Sequence, residues 1–425
     1  MSEYYSMKTY YKCELTQSAP LRISNGDNVI TDSDLMLDGR GLPQIPGTSI
    51  AGVLRSMLSE NEAASLFGKI ITNDAERCSV ESRVIISPAV LPDGAVVHIT
   101  NRHGVGIGDD GTALDKSKYD FQVAETTGIY SCILEISHEK EDTAADILEK
   151  LMMRVAADGI SFGARTTRGY GHMKAVIYKR TFDFADEKKN DIDKWLKFDP
   201  FDERSFSGSD VLKPQADVVG ADALIINANL KMTGSFIVRV NSSKVGEADY
   251  APLMGCMDKE RTPVIPGTSW AGTFRHHMKK LALQAGACDL TKKIDEMFGY
   301  VPDGKYKRSN ISFFETRIKG GGELQVTRNA LDRFTMAPKK SALFTSIIWS
   351  GGEGTLTIRI KAMPDDDMMQ IFYAALLDLN NGLLTFGGES SIGYGRANIT
   401  ELRINGEVVT DLLGVNLSAK EEETV

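Results

Sequence analysis

Apolar and polar residues alternate near the beginning of each half of the chain, in Thr9–Leu15 (TYYKCEL) and Leu224–Met232 (LIINANLKM). Alternation with a period of two predicts half-buried β-strands. Apolar residues at helical spacing follow in both halves. The helices that they predict are Ser49–Leu58, Thr143–Ala157, Ser269–Ala282 and Asp365–Asn380.

The order of these elements indicates the fold class. Each half reads as strand, helix, strands, helix and a last strand, which is the order of a ferredoxin-like α+β domain. We therefore predict helices on one face of an antiparallel sheet, with the other face free to bind a ligand. The polar stretches Asn101–Tyr130 and Arg328–Phe344 lack helical periodicity, and each predicts a projecting hairpin or loop.

Two segments of the chain are repeated in the same order. Residues 45–55 (IPGTSIAGVLR) and 265–275 (IPGTSWAGTFR) are identical at eight of eleven positions. Residues 162–175 (FGARTTRGYGHMKA) correspond to 386–399 (FGGESSIGYGRANI). The separation along the chain is nearly the same for both pairs, which indicates a duplicated domain. We predict domains over 1–181 and 222–425, joined by a charged linker over 182–221 that contains a short helix near Asp191–Lys197 and partly packs on a domain.

The repeated Pro-Gly-Thr-Ser motif precedes the first helix of each copy. Pro-Gly predicts a turn, and Thr or Ser predicts the helix N-cap. The free N–H groups of such a first turn suit a phosphate. The candidate binding residues here are Ser49, Arg55, Ser269 and Arg275. The alternative is that both arginines only solvate their helices.

The Gly-rich segments Gly163–Gly171 and Gly387–Gly395 are a second candidate phosphate site, because glycine lets backbone N–H groups approach a ligand closely. The alternative is a structural turn between helix and strand. The candidates in or beside these segments are Arg165, Arg168, Gly169, Gly171, Gly393, Gly395 and Arg396.

Composition narrows the class of protein. The net charge is −9, which argues against a uniformly basic nucleic-acid-binding surface but allows a local basic groove. The five cysteines are widely spread and form no C-x-x-C pair, so neither a zinc site nor a disulfide framework is expected. No segment approaches the roughly 20 apolar residues of a membrane span, and the N-terminus has no signal-peptide core. We predict a cytoplasmic protein.

Acidic loops before the two Pro-Gly-Thr-Ser motifs are the best catalytic candidates. The first loop contains Asp32, Asp34 and Asp38, and the second contains Asp249 and Asp258. A carboxylate beside RNA can hold a divalent metal or assist attack by a 2′-hydroxyl. The alternative is a solvated acidic loop. No histidine recurs at the same position in both copies, which argues against histidine acid–base chemistry.

These motifs, together with TRNALDRFTMAPKKSALF (residues 327–344), resemble the RAMP superfamily of CRISPR-associated proteins. Within it, the chain is similar to the Cas seven-type backbone subunits of type III interference complexes, and the two-copy fusion is similar to the type III-D branch. The resemblance implies a palm that binds guide RNA and a hairpin thumb that flips out a base. The thumbs would cover about His103–Ala124 and Asn329–Leu343, with Arg102, Arg328 and Arg333 as RNA-binding candidates.

The resemblance also implies a target-cutting aspartate in the loop before the Pro-Gly-Thr-Ser motif. Asp32 and Asp249 fit best, as catalytic residues and as ligands of a divalent metal, expected to be Mg²⁺; Asp34 and Asp258 are the alternates. The implied partners are guide RNA, complementary target RNA, neighbouring backbone subunits and the large signalling subunit, with no membrane. Two further hypotheses remain: a non-catalytic RNA-binding scaffold of the same complex, and a histidine-dependent nuclease that processes guide RNA.

Overall fold

The computed structural model describes residues 5–26, 29–73, 76–108, 112, 114–186, 191–213, 223–241, 248–257, 260–300 and 307–416. The fold is mixed α+β. The chain divides into two units, each described separately below: one contains Met1–Arg102, Asp120–Thr166 and Gly171–Ala221, and the other contains His103–Tyr119, Thr167–Tyr170 and Asp222–Val425. No helix in the described part is both long and apolar enough to cross a bilayer.

The first half of the chain alternates groups of strands with helices. From Met7 to Val211 the elements are β1 (Met7–Gln17), α1 (Gly47–Arg55), α2 (Glu60–Phe67), β2 (Lys69–Asn73), β3 (Glu76–Val80), β4 (Val84–Ile86), β5 (Val97–Gly104), β6 (Tyr119–Thr126), β7 (Ile129–His138), α3 (Thr143–Asp158), β8 (Ile160–Ser161), β9 (His172–Asp183), α4 (Asp191–Leu196) and β10 (Asp210–Val211).

The main sheet of the first unit has the order β10-β9-β1-β7-β4. The central strand β1 is antiparallel to both neighbours, and Cys13 lies opposite Cys132 on β7 and Ile177 on β9. Successive strand residues point to opposite faces. Tyr11, Cys13 and Leu15 therefore share one face, where they pack in a single core with apolar residues of α1 and α3.

The opposite face of this sheet is partly covered. Tyr10, Ile133 and Phe182 form a separate apolar cluster with Phe206, and Trp195 and Phe198 pack against it. The covering residues belong to the predicted linker, whose predicted short helix is confirmed as α4. The prediction that this sheet face is free to bind a ligand is wrong for this part of the first unit. Burying these aromatic rings against one another is more favourable than leaving them in contact with water.

The second half of the chain repeats the arrangement. From Leu224 to Asn416 the elements are β11 (Leu224–Met232), β12 (Ser235–Phe236), β13 (Arg239–Asn241), β14 (Tyr250–Pro252), β15 (Met254–Gly255), β16 (Thr262–Ile265), α5 (Gly267–Gln284), α6 (Cys288–Phe298), β17 (Ile311–Phe313), β18 (Thr316–Arg317), β19 (Gly322–Leu331), β20 (Pro338–Ser350), β21 (Glu353–Ile360), α7 (Asp366–Asn380), β22 (Ala397–Ile404), β23 (Glu407–Val408), β24 (Asp411–Leu412) and β25 (Val415–Asn416).

The second main sheet has the order β17-β21-β11-β22-β23, with β11 antiparallel to β21 and β22. The principal strands of the two sheets, β4-β7-β1-β9 and β17-β21-β11-β22, therefore have the same spatial order. Corresponding strands also occur in the same order along the chain in the two copies. The core joins β11 to the aromatic residues Trp270 and Phe274 of α5 and Phe372 of α7. All four predicted helices are confirmed as α1, α3, α5 and α7, with ends shifted by up to three residues.

Both predicted thumbs contain paired strands, and the strands begin earlier than predicted. β5 pairs with β6, and β19 pairs with β20 in a ladder that runs from Gly322 opposite Ser350 to Leu331 opposite Pro338. Asp332 closes the second hairpin by accepting the N–H groups of Phe334 and Thr335 at 3.0 and 2.9 Å. These hydrogen bonds lower the pKa of Asp332.

The Pro-Gly-Thr-Ser helices begin at glycine, so the predicted Thr or Ser cap is wrong. Pro46 and Pro266 are the N-cap residues, and neither helix has a side-chain cap. The N–H groups of Ser49 and Ser269 donate within the first turn, to the carbonyls of these prolines, at 2.9 Å. The motif instead serves packing: a Cβ at Gly47 would lie 2.5 Å from the Ile86 oxygen, and a Cβ at Gly267 would lie 2.0 Å from the Phe313 oxygen.

We predict that Gly47→Ala and Gly267→Ala each destabilise the protein by about 1–3 kcal/mol, because the added methyl forces the helix away from a strand carbonyl. Gly52→Ala and Gly272→Ala are matched controls in the same helices, since a Cβ there meets nothing within 4 Å. The controls should be neutral or stabilising. Urea unfolding of the four variants measures the difference, and equal effects at all four positions would contradict the packing argument.

Candidate nucleic-acid interface

The loop that follows the first strand is closed by a corresponding backbone hydrogen bond in both units. The Met36 N–H donates to the Ile23 carbonyl at 2.8 Å, and the Leu253 N–H donates to the Val238 carbonyl at 2.8 Å. These bonds fix which residues of the two loops correspond. Counting back four residues from each donor leads to the two predicted catalytic aspartates.

Asp32 and Asp249 are thus at corresponding positions, and both are exposed. Each carboxylate binds the second strand of the predicted thumb. Asp32 Oδ2 accepts the N–H of Asp120 on β6 at 2.9 Å, and Asp249 Oδ2 accepts the N–H of Thr345 on β20 at 2.8 Å. The other carboxylate oxygen, Oδ1, has no hydrogen-bond partner among the described residues, so one oxygen of each aspartate remains open to a ligand.

The return bonds differ between the units. The Asp32 N–H donates to the side chain of Asp120, at 2.9 Å, whereas the Asp249 N–H donates to the backbone carbonyl of Thr345, at 2.8 Å. The loop position is therefore held by two hydrogen bonds in each unit. Among the described residues, only the first unit shows a second carboxylate, that of Asp120, hydrogen-bonded to the backbone of the candidate aspartate.

Asp34 has a structural environment. It is 7% exposed and accepts hydrogen bonds from the backbone N–H groups of Val29, Ile30 and Thr31 and from the Thr31 hydroxyl. These hydrogen bonds, above all the one from the Ile30 N–H, lower the pKa of Asp34. Since four donors already occupy its oxygens, Asp34 is a weaker catalytic candidate than Asp32. The other alternate, Asp258, lies outside the described residues.

The donor set restricts how a divalent metal would bind. Among the described residues, no group of three or more His, Cys, Asp or Glu side chains is arranged to hold a metal ion. Mg²⁺ commonly binds through one or two carboxylates together with substrate phosphates and water. Asp32 and Asp249 therefore fit a Mg²⁺ that is shared with RNA, and they do not fit a site built from protein ligands alone.

The Gly-rich segments have the same backbone path in both units. The Phe162 N–H donates to the carbonyl of Gly171 at 3.0 Å, and the Phe386 N–H donates to the carbonyl of Gly395 at 2.9 Å. Each of these glycines ends its segment. A Cβ at either glycine would lie within 2 Å of the corresponding Phe carbonyl. These two buried glycines are thus required by chain packing, as the alternative of a structural turn predicts, and phosphate binding by them stays a prediction.

Corresponding left-handed residues in these segments carry opposite charges. Arg165 and Glu389 occupy the same place in the aligned segments, and both have a φ of 60°. In the first unit, the guanidinium groups of Arg22 and Arg165 lie 4.0 and 5.6 Å from the centre of the Phe121 ring. A cation over an aromatic face is stabilised by the ring quadrupole.

In the second unit, Glu389 binds two arginines. Its Oε1 lies 3.2 Å from Arg239 Nη2, and its Oε2 accepts a hydrogen bond from Arg328. Arg328 also donates to the Tyr394 hydroxyl, at 2.6 Å. The bond to Glu389 raises the pKa of Arg328.

The remaining candidates fall into two groups. Some arginines have partners in the protein: Arg102 is 2% exposed beside Glu125, Arg55 donates to the Gly68 carbonyl at 2.9 Å, Arg275 to Asp295 at 2.6 Å and Arg168 to the Phe298 carbonyl at 3.2 Å. Others are at the surface: Arg333, Gly393 and Arg396 are exposed, and Ser49 and Ser269 are half-buried. Gly169 belongs to neither group, because it is buried. Their roles in RNA binding stay predictions.

Sequence reasoning missed several residues near the candidate sites of the two units, namely Arg22, Asp120 and Phe121 in the first and Arg239, Glu389 and Tyr394 in the second. The signal for Glu389 was present, because aligning the two Gly-rich segments places it opposite Arg165. Arg239 and Asp120 gave no such signal, since only chain folding brings them to Glu389 and Asp32.

A comparison with family models finds a match in both copies of the duplicated domain. The model of the RAMP superfamily matches residues 16–174 and 256–398, which is more than half of the sequence. The chain belongs to the RAMP superfamily. This superfamily is associated with RNA binding and with multi-subunit CRISPR-Cas complexes that contain CRISPR RNA. Asp32 lies inside the first matched segment, and Asp249 lies shortly before the second. No curated protein matches the chain.

We predict that Asp34→Asn destabilises the protein at pH 7 and that this penalty disappears in acid. A carboxyl whose pKa is lowered by folding stabilises the native state above its unfolded pKa, and this contribution is lost as the pH falls through the folded pKa. The measurement is the urea midpoint of wild type and variant between about pH 7 and about pH 3. Asp210→Asn, at an exposed position, is the control; a penalty for Asp34→Asn that does not change with pH would contradict the prediction.

Proposed function

We propose that this RAMP protein is a guide-RNA-binding backbone subunit of a type III CRISPR-associated complex, and that it cuts complementary target RNA at Asp32 and Asp249. The proposal extends the family assignment to two cleavage sites, one in each copy. The tandem duplication and the shared βαββαβ order support a ferredoxin-like palm in each copy. The two-copy arrangement supports the type III-D branch.

The observation that carries the proposal is the equivalence of the two aspartates. The loops differ in sequence and length, yet both keep an exposed carboxylate four residues before the same backbone bond. Each carboxylate is bound to a strand of the projecting hairpin. A solvated acidic loop does not require such a repeated anchor, whereas a catalytic group must be held in position.

The chemistry required of each aspartate is modest. Guide pairing supplies sequence specificity, so the protein reads only the backbone and shape of the RNA. The open oxygen of the aspartate would accept the proton of a 2′-hydroxyl that attacks the adjacent phosphorus; the P–O5′ bond then breaks, which leaves a 2′,3′-cyclic phosphate and a 5′-hydroxyl that takes its proton from water. Alternatively, the aspartate would hold Mg²⁺ against the scissile phosphate. When bound, Mg²⁺ would supply positive charge where the phosphate oxygens become more negative. The further partners of this proposal are neighbouring backbone subunits and the large signalling subunit.

The test is to assemble the protein with guide RNA and partner subunits and to map cuts in an end-labelled complementary RNA. We expect Asp32→Ala and Asp249→Ala each to erase one distinct cut, with a loss of at least about 100-fold, because a positioned acid–base group contributes about 10²–10⁴-fold. EDTA should abolish both cuts. Asp210→Ala removes one exposed carboxylate elsewhere and should leave both cuts unchanged.

The outcomes separate the hypotheses. Retained target binding with loss of a specific cut supports a nuclease site at that aspartate. If all cuts survive in the double variant with binding intact, the assay is repeated with Asp34→Ala and Asp258→Ala. Survival of the cuts in these variants as well supports the scaffold alternative, in which another subunit cuts. Cleavage of precursor repeat RNA by the isolated chain would instead support the histidine-dependent processing hypothesis.

A further inference from the structure

The Glu389 side chain occupies an anion position between two arginines. Its two oxygens bind Arg239 and Arg328 separately, and 10% of the side chain is exposed. The arginine side chains are 41% and 36% exposed. The Glu389 side chain is therefore mostly covered, while both arginine side chains still reach the solvent.

The backbone at Glu389 is strained. Its φ and ψ are 60° and 28°, in the left-handed region that residues other than glycine, asparagine and aspartate seldom adopt. Glycines flank it at positions 387, 388 and 393. The corresponding Arg165 has the same φ, so this conformation is common to the Gly-rich segments of both copies.

The two arginines lie beside the elements that position Asp249. The Arg239 guanidinium lies 5.0 Å from the centre of the ring of Tyr250, the next residue after Asp249. Arg328 on β19 is paired in register with Phe344 on β20, one residue before the Thr345 that binds Asp249. An anion at the two arginines would therefore be close to the candidate cutting site of the second copy.

A phosphodiester group presents two oxygens and one negative charge, as a carboxylate does, and the arginine fork binds either group. We propose that Arg239 and Arg328 form an RNA phosphate site in which Glu389 is an internal counter-ion, displaced when the phosphate binds. This inference rests on the proposed RNA-binding function. The first copy has Arg165 instead of an acid at the corresponding position, so the internal competition is specific to the second copy.

The test measures binding of the full chain to a labelled single-stranded RNA by fluorescence anisotropy, between about 50 and about 200 mM salt. We expect Glu389→Gln to bind about 3- to 10-fold more tightly at low salt, because the competing charge is gone, with a salt slope steeper by about 0.7 for each additional phosphate that the protein neutralises. Glu296→Gln is the control: it also removes an exposed carboxylate, on α6, that is paired with a cation, Lys307, and it should leave affinity unchanged.

A second variant guards against loss of folding, which thermal unfolding checks. Arg239→Gln keeps Glu389 and should weaken RNA binding, and the Arg239→Gln, Glu389→Gln double variant should lose most of the gain. Repeating the series with a complementary strand annealed distinguishes the source: a gain with the single strand alone indicates a guide phosphate, and a gain that needs the duplex indicates a target phosphate. Both results support the site.

If wild type binds RNA and Glu389→Gln binds it equally or more weakly, the counter-ion inference is overturned. The proposed function would remain intact. If Glu389→Gln does not fold, unchanged binding by Arg239→Gln overturns the inference in the same way. Absence of RNA binding by wild type and all variants would overturn the inference together with RNA binding by the isolated chain.

Discussion

Close contact between a helix start and a strand carbonyl is the constraint on which each copy depends. Gly47 and Gly267 bring the first turn of a helix against the Ile86 and Phe313 oxygens at distances that exclude any side chain. Because this contact fixes where the helix begins, it also fixes the end of the loop that carries Asp32 or Asp249. The glycine of the Pro-Gly-Thr-Ser motif is thus explained by packing, and the effect of the motif on the acidic loop is indirect.

The two copies share a backbone path but carry different charges on corresponding side chains. The left-handed position of the Gly-rich segment holds Arg165 in one copy and Glu389 in the other, with the same φ. The strand residue that anchors the acidic loop is Asp120 in one copy and Thr345 in the other. These differences keep the same backbone path and give each copy its own electrostatic properties.

The sheet faces away from the helices also differ. In the first unit, Tyr10 and Phe182 are covered by aromatic residues of the predicted linker. In the second unit, the corresponding face carries polar pairs across strands: the Thr355 and Thr357 hydroxyls donate to Asn229 and Asn227, each at 2.8 Å. A duplicated fold thus does not provide duplicated binding surfaces.

The sequence by itself determined the α+β class, the duplication, the four main helices and the two acidic loops, because periodicity and repetition are local properties of the chain. It misplaced the helix caps, since the role of Gly47 depends on the carbonyl of Ile86, which is distant in sequence. Only the tertiary structure showed that Asp32 is exposed while Asp34 is enclosed by donors, and only it revealed Arg239, Arg328 and Glu389 as one cluster. Which donors surround a carboxylate is set by residues that are far apart along the chain, and no local pattern encodes that arrangement.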